Sequence, residues 1–131
     1  MDWQPMADKV GAEVRGVDLA TIDGEDLNAL KQLVYDRGVV VLRDQSLSPE
    51  EHTALAERWG GIDINNYFPL QDEYPQIAIV RKAADQQTNI GGAWHTDHSY
   101  DQVPAMGSIL VARELPPTGG DTLFASMGAA W

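Results

Sequence analysis

The residues best equipped for chemistry lie in one four-residue stretch, His95-Thr96-Asp97-His98, which holds two of the chain's three histidines. In an extended strand, side chains two positions apart share a face, with Cα atoms about 6.6 Å apart. An imidazole and a carboxylate so placed can converge on one ion through bonds of about 2 Å. His95 and Asp97 are then one neutral nitrogen ligand and one anionic oxygen ligand, while Thr96 and His98 face the other way. That donor mix suits a borderline divalent metal and is two thirds of a two-histidine, one-carboxylate iron(II) site. A His-x-Asp triplet alone arises by chance in many chains, and its ordinary reading is a structural pair. The setting adds weight, because the triplet follows Gly91-Gly92 and opens a β-patterned stretch. A zinc hydrolase using His95, Asp97 and His98 is a third reading, against which strand alternation argues.

The elements that must position this triplet can be read from periodicity and caps. Val10 to Leu19 reads as a strand with Val10, Ala12 and Val14 on one face and Glu13 and Arg15 on the other. Asp23 is an N-cap for a helix whose Leu27, Leu30, Leu33 and Val34 recur at helical spacing, and Gly38 supplies its stop. Val39 to Leu42 is a continuous apolar run, the pattern of a strand covered on both faces. Ser48, Pro49 and Glu51 form a capping box with proline at the first helical position. That helix places Leu55 and Trp59 on one face and ends at Gly60-Gly61. Ile77 to Val80 is a further short strand, and Ala83 to Gly92 a polar loop that could close as a lid. Trp94 to Tyr100, Gly107 to Ala112 and Asp121 to Ala125 are strand-like, with a Pro116-Pro117-Thr118-Gly119-Gly120 turn between the last two. No linker is visible, so residues 1–131 form one domain.

In this order the motifs are familiar. Trp94-His95-Thr96-Asp97, Pro104, Gly107-Ser108-Ile109-Leu110, Glu114-Leu115-Pro116 and Thr118-Gly119-Gly120-Asp121-Thr122-Leu123 resemble the TauD/TfdA (taurine dioxygenase-like) family of Fe(II)/2-oxoglutarate-dependent dioxygenases. Val40-Val41-Leu42-Arg43-Asp44-Gln45, the Ser-Pro-Glu-Glu helix start and Trp59-Gly60 are similar to the front of that family. The resemblance implies an α+β chain: a double-stranded β-helix (jelly-roll, cupin-like) core with N-terminal helices, incomplete at the C-terminus. It implies that His95 and Asp97 are the first two metal ligands. Thr122 matches the threonine whose hydroxyl bonds the distal carboxylate of 2-oxoglutarate, a charge-assisted contact. The implied reaction consumes dioxygen and 2-oxoglutarate, releases succinate and carbon dioxide, and hydroxylates a small organic anion of sulfonate, sulfate ester or aryloxyalkanoate type.

The departures matter as much. The family's third ligand, a histidine, and the arginine that pairs with 2-oxoglutarate lie far downstream and are not in this sequence. His52 is a poor substitute because it sits on the capped helix. The expectation is therefore the N-terminal part of a longer enzyme, inactive by itself; the alternative is a catalytically incomplete fragment or pseudo-enzyme serving as a binding or assembly module. Taurine-specific members carry a histidine where this chain has the stretch Asn65-Asn66-Tyr67-Phe68, so taurine itself is in doubt. Asn65, Tyr67 and Phe68 are candidate substrate-binding residues, with core packing the competing role for the two aromatics. Trp94 is expected to pack. Arg81 and Lys82 are read as a solvated charge pair, and Asp101 as a cap or surface charge.

Composition bounds the partners. Nine Lys+Arg against twenty Asp+Glu give a net charge of -11, a field that repels nucleic-acid backbones and anionic membranes. With no cysteine, disulfides, thiolate-bound zinc and iron–sulfur clusters are excluded for this sequence. No secretory signal pattern is seen, which makes the cytoplasm the expected compartment. The expected partner is a small-molecule substrate. An incomplete β-helix exposes strand edges and apolar surface, so a homo-oligomer is also anticipated.

Overall fold

The computed structural model describes residues 1–131 except Asn66 and Ile90. Its ordered elements are β1 (Asp2–Pro5), β2 (Ala12–Arg15), α1 (Gly24–Arg37), β3 (Val40–Leu42), α2 (Pro49–Glu57) and a short α3 (Met127–Ala130). The strands form one sheet in the order β1-β2-β3. β1 runs antiparallel to β2, with Trp3 opposite Val14, and β2 runs parallel to β3, with Ala12 opposite Val40. A parallel pair needs a crossover, and α1 supplies it.

Local chemistry accounts for both long helices. The Asp23 carboxylate accepts from the Asp26 amide at 2.8 Å, covering an otherwise unpaired donor of the first turn. At the other end Gly38 takes φ +73° and donates its N–H to the Val34 carbonyl at 2.7 Å. Ser48 and Glu51 make the reciprocal capping box at 3.2 and 2.7 Å, as expected.

Packing follows the periodicity. Ala12 and Val14 of β2 turn inward onto Leu27, Leu30 and Leu33 of α1, joined by Leu19, Ile22, Leu47 and Leu55. Glu13 and Arg15 lie on the opposite face, where both Arg15 and Arg43 meet the Glu13 carboxylate. The Gln45 amide staples the loops: its Oε1 accepts from the Leu19 amide, and its Nε2 donates to the carbonyls of Val17 and Arg43. Arg58 donates to the Ile22 carbonyl at 2.7 Å and ties the end of α2 to the start of α1.

Two strand expectations need correction, and one strand was not anticipated. Val40, Val41 and Leu42 are half-buried rather than covered on both faces, because β3 is an edge of the sheet. β1 carries no sequence signal, since all four of its residues are exposed. The double-stranded β-helix that the resemblance implies is not seen among the described residues. Trp94 to Tyr100, Gly107 to Ala112 and Asp121 to Ala125 form no ladder, and Ile77 to Val80 contributes one isolated bridge, Leu70 to Ala78. An extended segment without a lateral partner has nothing to receive its backbone hydrogen bonds and is not a sheet strand.

The Gly107 to Ala112 segment still keeps strand-like alternation. Ile109 and Val111 pack against the core, while Leu110 between them points outward. His52 on α2 holds this segment, its Nε2 lying 3.0 Å from the Ile109 carbonyl. Burial pushes the His52 pKa down, and nearby Arg113 adds to this while the Ile109 contact opposes it. The imidazole is therefore kept neutral and donates to that carbonyl. His52 has a structural task, in keeping with its rejection as a metal ligand.

Candidate metal centre

The His95 triplet sits in irregular backbone rather than in a strand. Its two candidate ligands nevertheless meet, with His95 Nε2 lying 3.2 Å from Asp97 Oδ1. The other imidazole nitrogen is taken, since His95 Nδ1 donates to the Ala93 carbonyl at 2.8 Å. A backbone carbonyl in that place fixes the tautomer and leaves the Nε2 lone pair outward. A lone pair and a carboxylate facing each other repel unless a proton or a cation lies between them. Two donors on adjacent positions of a metal, with bonds of about 2.1 Å, stand about 3.0 Å apart. The pair thus fits a divalent cation in both spacing and donor type.

The glycine loop contributes directly. Gly91 has φ +67°, and a Cβ there would stand 3.2 Å from His95 Cε1. The imidazole lies against bare backbone that any side chain would crowd. Both side chains are more than half exposed, at 56% for His95 and 65% for Asp97, so the candidate site is open to solvent.

His98 behaves differently. Its backbone is left-handed, with φ +52°. Its Nδ1 is 3.0 Å from Asp101 Oδ2, and its Nε2 is 3.4 Å from Asn65 Nδ2. Asp63, His98 and Asp101 bring possible ligand atoms within 4.8 Å of one another. Sequence reading left Asp101 as a cap or surface charge and did not single out Asp63. Their approach depends on the turn after Asp97, for which no spacing motif exists. The trio of the zinc hydrolase reading is split, with His95 and Asp97 in one pair and His98 in another group.

The candidate substrate residues reach the same region. Asn65 Oδ1 accepts from the amides of Tyr67 and Phe68 at 2.8 and 3.1 Å, closing a tight turn. The Tyr67 ring lies 5.8 Å from that of His98. Tyr67 is 69% exposed and Phe68 half-buried, so Tyr67 is not a core aromatic. Asn66, quoted in the same stretch, lies outside the described residues, as does Ile90 in the candidate lid. Thr122 is exposed, in the irregular run before α3, and is not among the groups bonded to His95 or Asp97. Trp94 is exposed at 71%, against the expectation that it packs. Lys82 donates to Asn89 Oδ1 at 2.5 Å across the loop rather than standing free.

A broad groove between Glu13–Asp18 and Arg43–Ser46 lies away from these residues. Its Arg15, Arg43 and Gln45 are already engaged with Glu13 and backbone carbonyls. No described helix is long and apolar enough to cross a membrane.

Comparison with known proteins places the chain. It is 30% identical over 89% of its length to a yeast (Saccharomyces cerevisiae) alpha-ketoglutarate-dependent sulfonate dioxygenase, covering 31% of that protein. It is 32% identical over 99% of its length to a (S)-phenoxypropionate/alpha-ketoglutarate-dioxygenase of Sphingobium herbicidovorans, covering 46% of it. The chain thus spans a third to a half of the curated relatives it matches. A taurine dioxygenase crystal structure from Burkholderia xenovorans superposes with a TM-score of 0.53 at 28% identity, over 56% of this chain and 27% of that one. The family model "Taurine catabolism dioxygenase TauD, TfdA family" matches residues 2–131, and the chain belongs to that family.

Proposed function

We propose that the protein containing this chain is an Fe(II)- and 2-oxoglutarate-dependent dioxygenase acting on a small organic anion of sulfonate, sulfate ester or aryloxyalkanoate type. One observation supports this most. His95 Nε2 and Asp97 Oδ1 lie 3.2 Å apart, with the far side of the imidazole anchored to the Ala93 carbonyl. When bound, iron and 2-oxoglutarate together supply dioxygen activation, with succinate and carbon dioxide as co-products and a hydroxylated substrate.

The chain's own residues prepare that chemistry. Ala93 orients His95, Gly91 leaves room for its ring, and Asp97 adds an anionic donor that balances part of a dication's charge. On this reading Thr122 holds the distal carboxylate of 2-oxoglutarate, which requires the 121–126 stretch to approach the pair in the complete protein. Asn65, Tyr67 and Phe68 form one side of the substrate site. The yeast sulfonate and Sphingobium phenoxypropionate dioxygenases support the sulfonate and aryloxyalkanoate ends of the substrate range.

The test is succinate formation by the complete protein with Fe(II), 2-oxoglutarate and a panel of sulfonates, sulfate esters and aryloxyalkanoates. His95→Ala is expected to abolish it. Undiminished turnover in that variant would refute the metal assignment. The alternative, a non-catalytic binding module, draws on the exposed apolar side chains Val103, Leu110, Leu115, Leu123 and Trp131. It is favoured if metal binds and no substrate is consumed.

A further inference from the structure

The geometry points to His98 as a positioning residue that locks the Asn65–Phe68 turn beside the metal pair and so sets how substrate is presented, an inference that rests on the proposed oxygenase reading. Three observations converge on it. The first is backbone conformation. His98 is one of two non-glycine residues with positive φ among those described, and left-handed backbone at a bulky residue persists only where its surroundings hold it. In this conformation the imidazole reaches Asn65 of the neighbouring turn and Asp101.

The second is a hydrogen-bond chain whose polarity can be read without ambiguity. Asn65 Oδ1 accepts from two backbone amides, those of Tyr67 and Phe68, so this atom must be the oxygen. The amide nitrogen therefore faces His98 Nε2 and donates to it. Nε2 is then the acceptor nitrogen, the proton sits on Nδ1, and Nδ1 donates to Asp101. Both ring nitrogens are used within the protein. His98 is thus spoken for, in contrast to His95, whose Nε2 faces only a carboxylate.

The third is stacking. The His98 ring lies 5.8 Å from both Tyr67 and Tyr100, and is nearly parallel to the latter at 27°. The Tyr67 phenol, with desolvation and the Asp101 and Asp97 carboxylates, pushes the Tyr100 hydroxyl up to about 12. The Tyr100 hydroxyl keeps its proton, and the two tyrosine rings flank the imidazole.

The conservative variants separate the two arms. In H98Q a side-chain oxygen can still accept from Asn65, whereas in H98N a side-chain nitrogen can still donate to Asp101. Amide hydrogen exchange of the chain, followed by NMR, is expected to speed up at Tyr67 and Phe68 by about tenfold in H98A and H98N, and to return toward wild type in H98Q. Unchanged exchange in H98A, or equal loss in H98Q and H98N, would overturn the assignment. In the complete enzyme, H98A is expected to raise substrate KM about tenfold while Mn(II) affinity and the KM for 2-oxoglutarate stay within about twofold. An equal fall in Mn(II) affinity would show a merely structural role and overturn it. Absence of turnover in the wild type would sink the oxygenase reading instead, and the exchange data would still decide whether His98 holds the turn.

Discussion

The two halves of the chain are held by different forces. All nine buried hydrophobic side chains lie between Ala12 and Leu55, and no described residue after Gly60 is buried. The first half is a small apolar core with capped helices. The second half carries the candidate chemistry and is held by hydrogen bonds, tight turns and a few docking contacts, such as Ile109 and Val111 against the core. The core and the candidate site are therefore carried by separate regions. A site built from polar loops keeps its ligands exposed and its geometry adjustable, and has little burial to make it rigid.

The largest effect should come from the core. Leu30→Ala, at a position 3% exposed, is expected to cost about 2–5 kcal/mol in urea unfolding, while Leu110→Ala, at 77% exposed, should stay within about 0.5 kcal/mol. Similar costs at the two positions would break the contrast between the halves. Next comes the metal pair. Asp97→Ala is expected to weaken Mn(II) binding about a hundredfold by titration calorimetry while leaving the unfolding midpoint unmoved. A matching loss of stability would mean that Asp97 is structural.

Smaller effects sharpen the comparison. Ser48→Ala should destabilise by about 1 kcal/mol through the lost cap, with no change in Mn(II) affinity. Gly91→Ala should do the reverse, weakening Mn(II) binding several-fold by crowding His95, with a smaller change in stability. The smallest is a pH effect at the junction of the halves. The folded His52 pKa is depressed below 6.5, so the unfolded chain binds its proton first as pH falls. The contribution of His52 is complete above about 6.5 and is lost as pH drops through the lowered folded value. Comparing urea midpoints at neutral and mildly acidic pH, His52→Gln should show a shallower acid dependence than wild type.

Legibility in the sequence followed the same division. The Asp23 cap, the Gly38 stop, the Ser48 capping box and the inward face of β2 were all readable, because each depends on residues within a few positions of one another. β1 was not, since an exposed edge strand has no hydrophobic pattern. The strand readings at 94–100, 107–112 and 121–125 found extended propensity correctly at Ile109 and Val111, but propensity does not supply a partner strand. His95 and Asp97 were chosen for strand alternation. The structure brings them together in irregular backbone instead, with Ala93 and Gly91 arranging the imidazole. Asp63 was missed because its meeting with His98 spans about three dozen residues and leaves no periodic trace, and Asp101, three positions after His98, was missed because their pairing depends on the left-handed backbone at His98.

Sequence alone determined the helices, their ends, the apolar face that forms the core, the acidic character of the surface and the identity of the two candidate ligands, since these follow from residue type and near-neighbour spacing. Only the tertiary structure decided which nitrogen of His95 is left open, that both nitrogens of His98 are engaged by Asn65 and Asp101, and that the Asn65 turn lies beside His98. Those outcomes depend on backbone dihedrals and on hydrogen bonds between distant segments, and they are settled when the chain closes on itself.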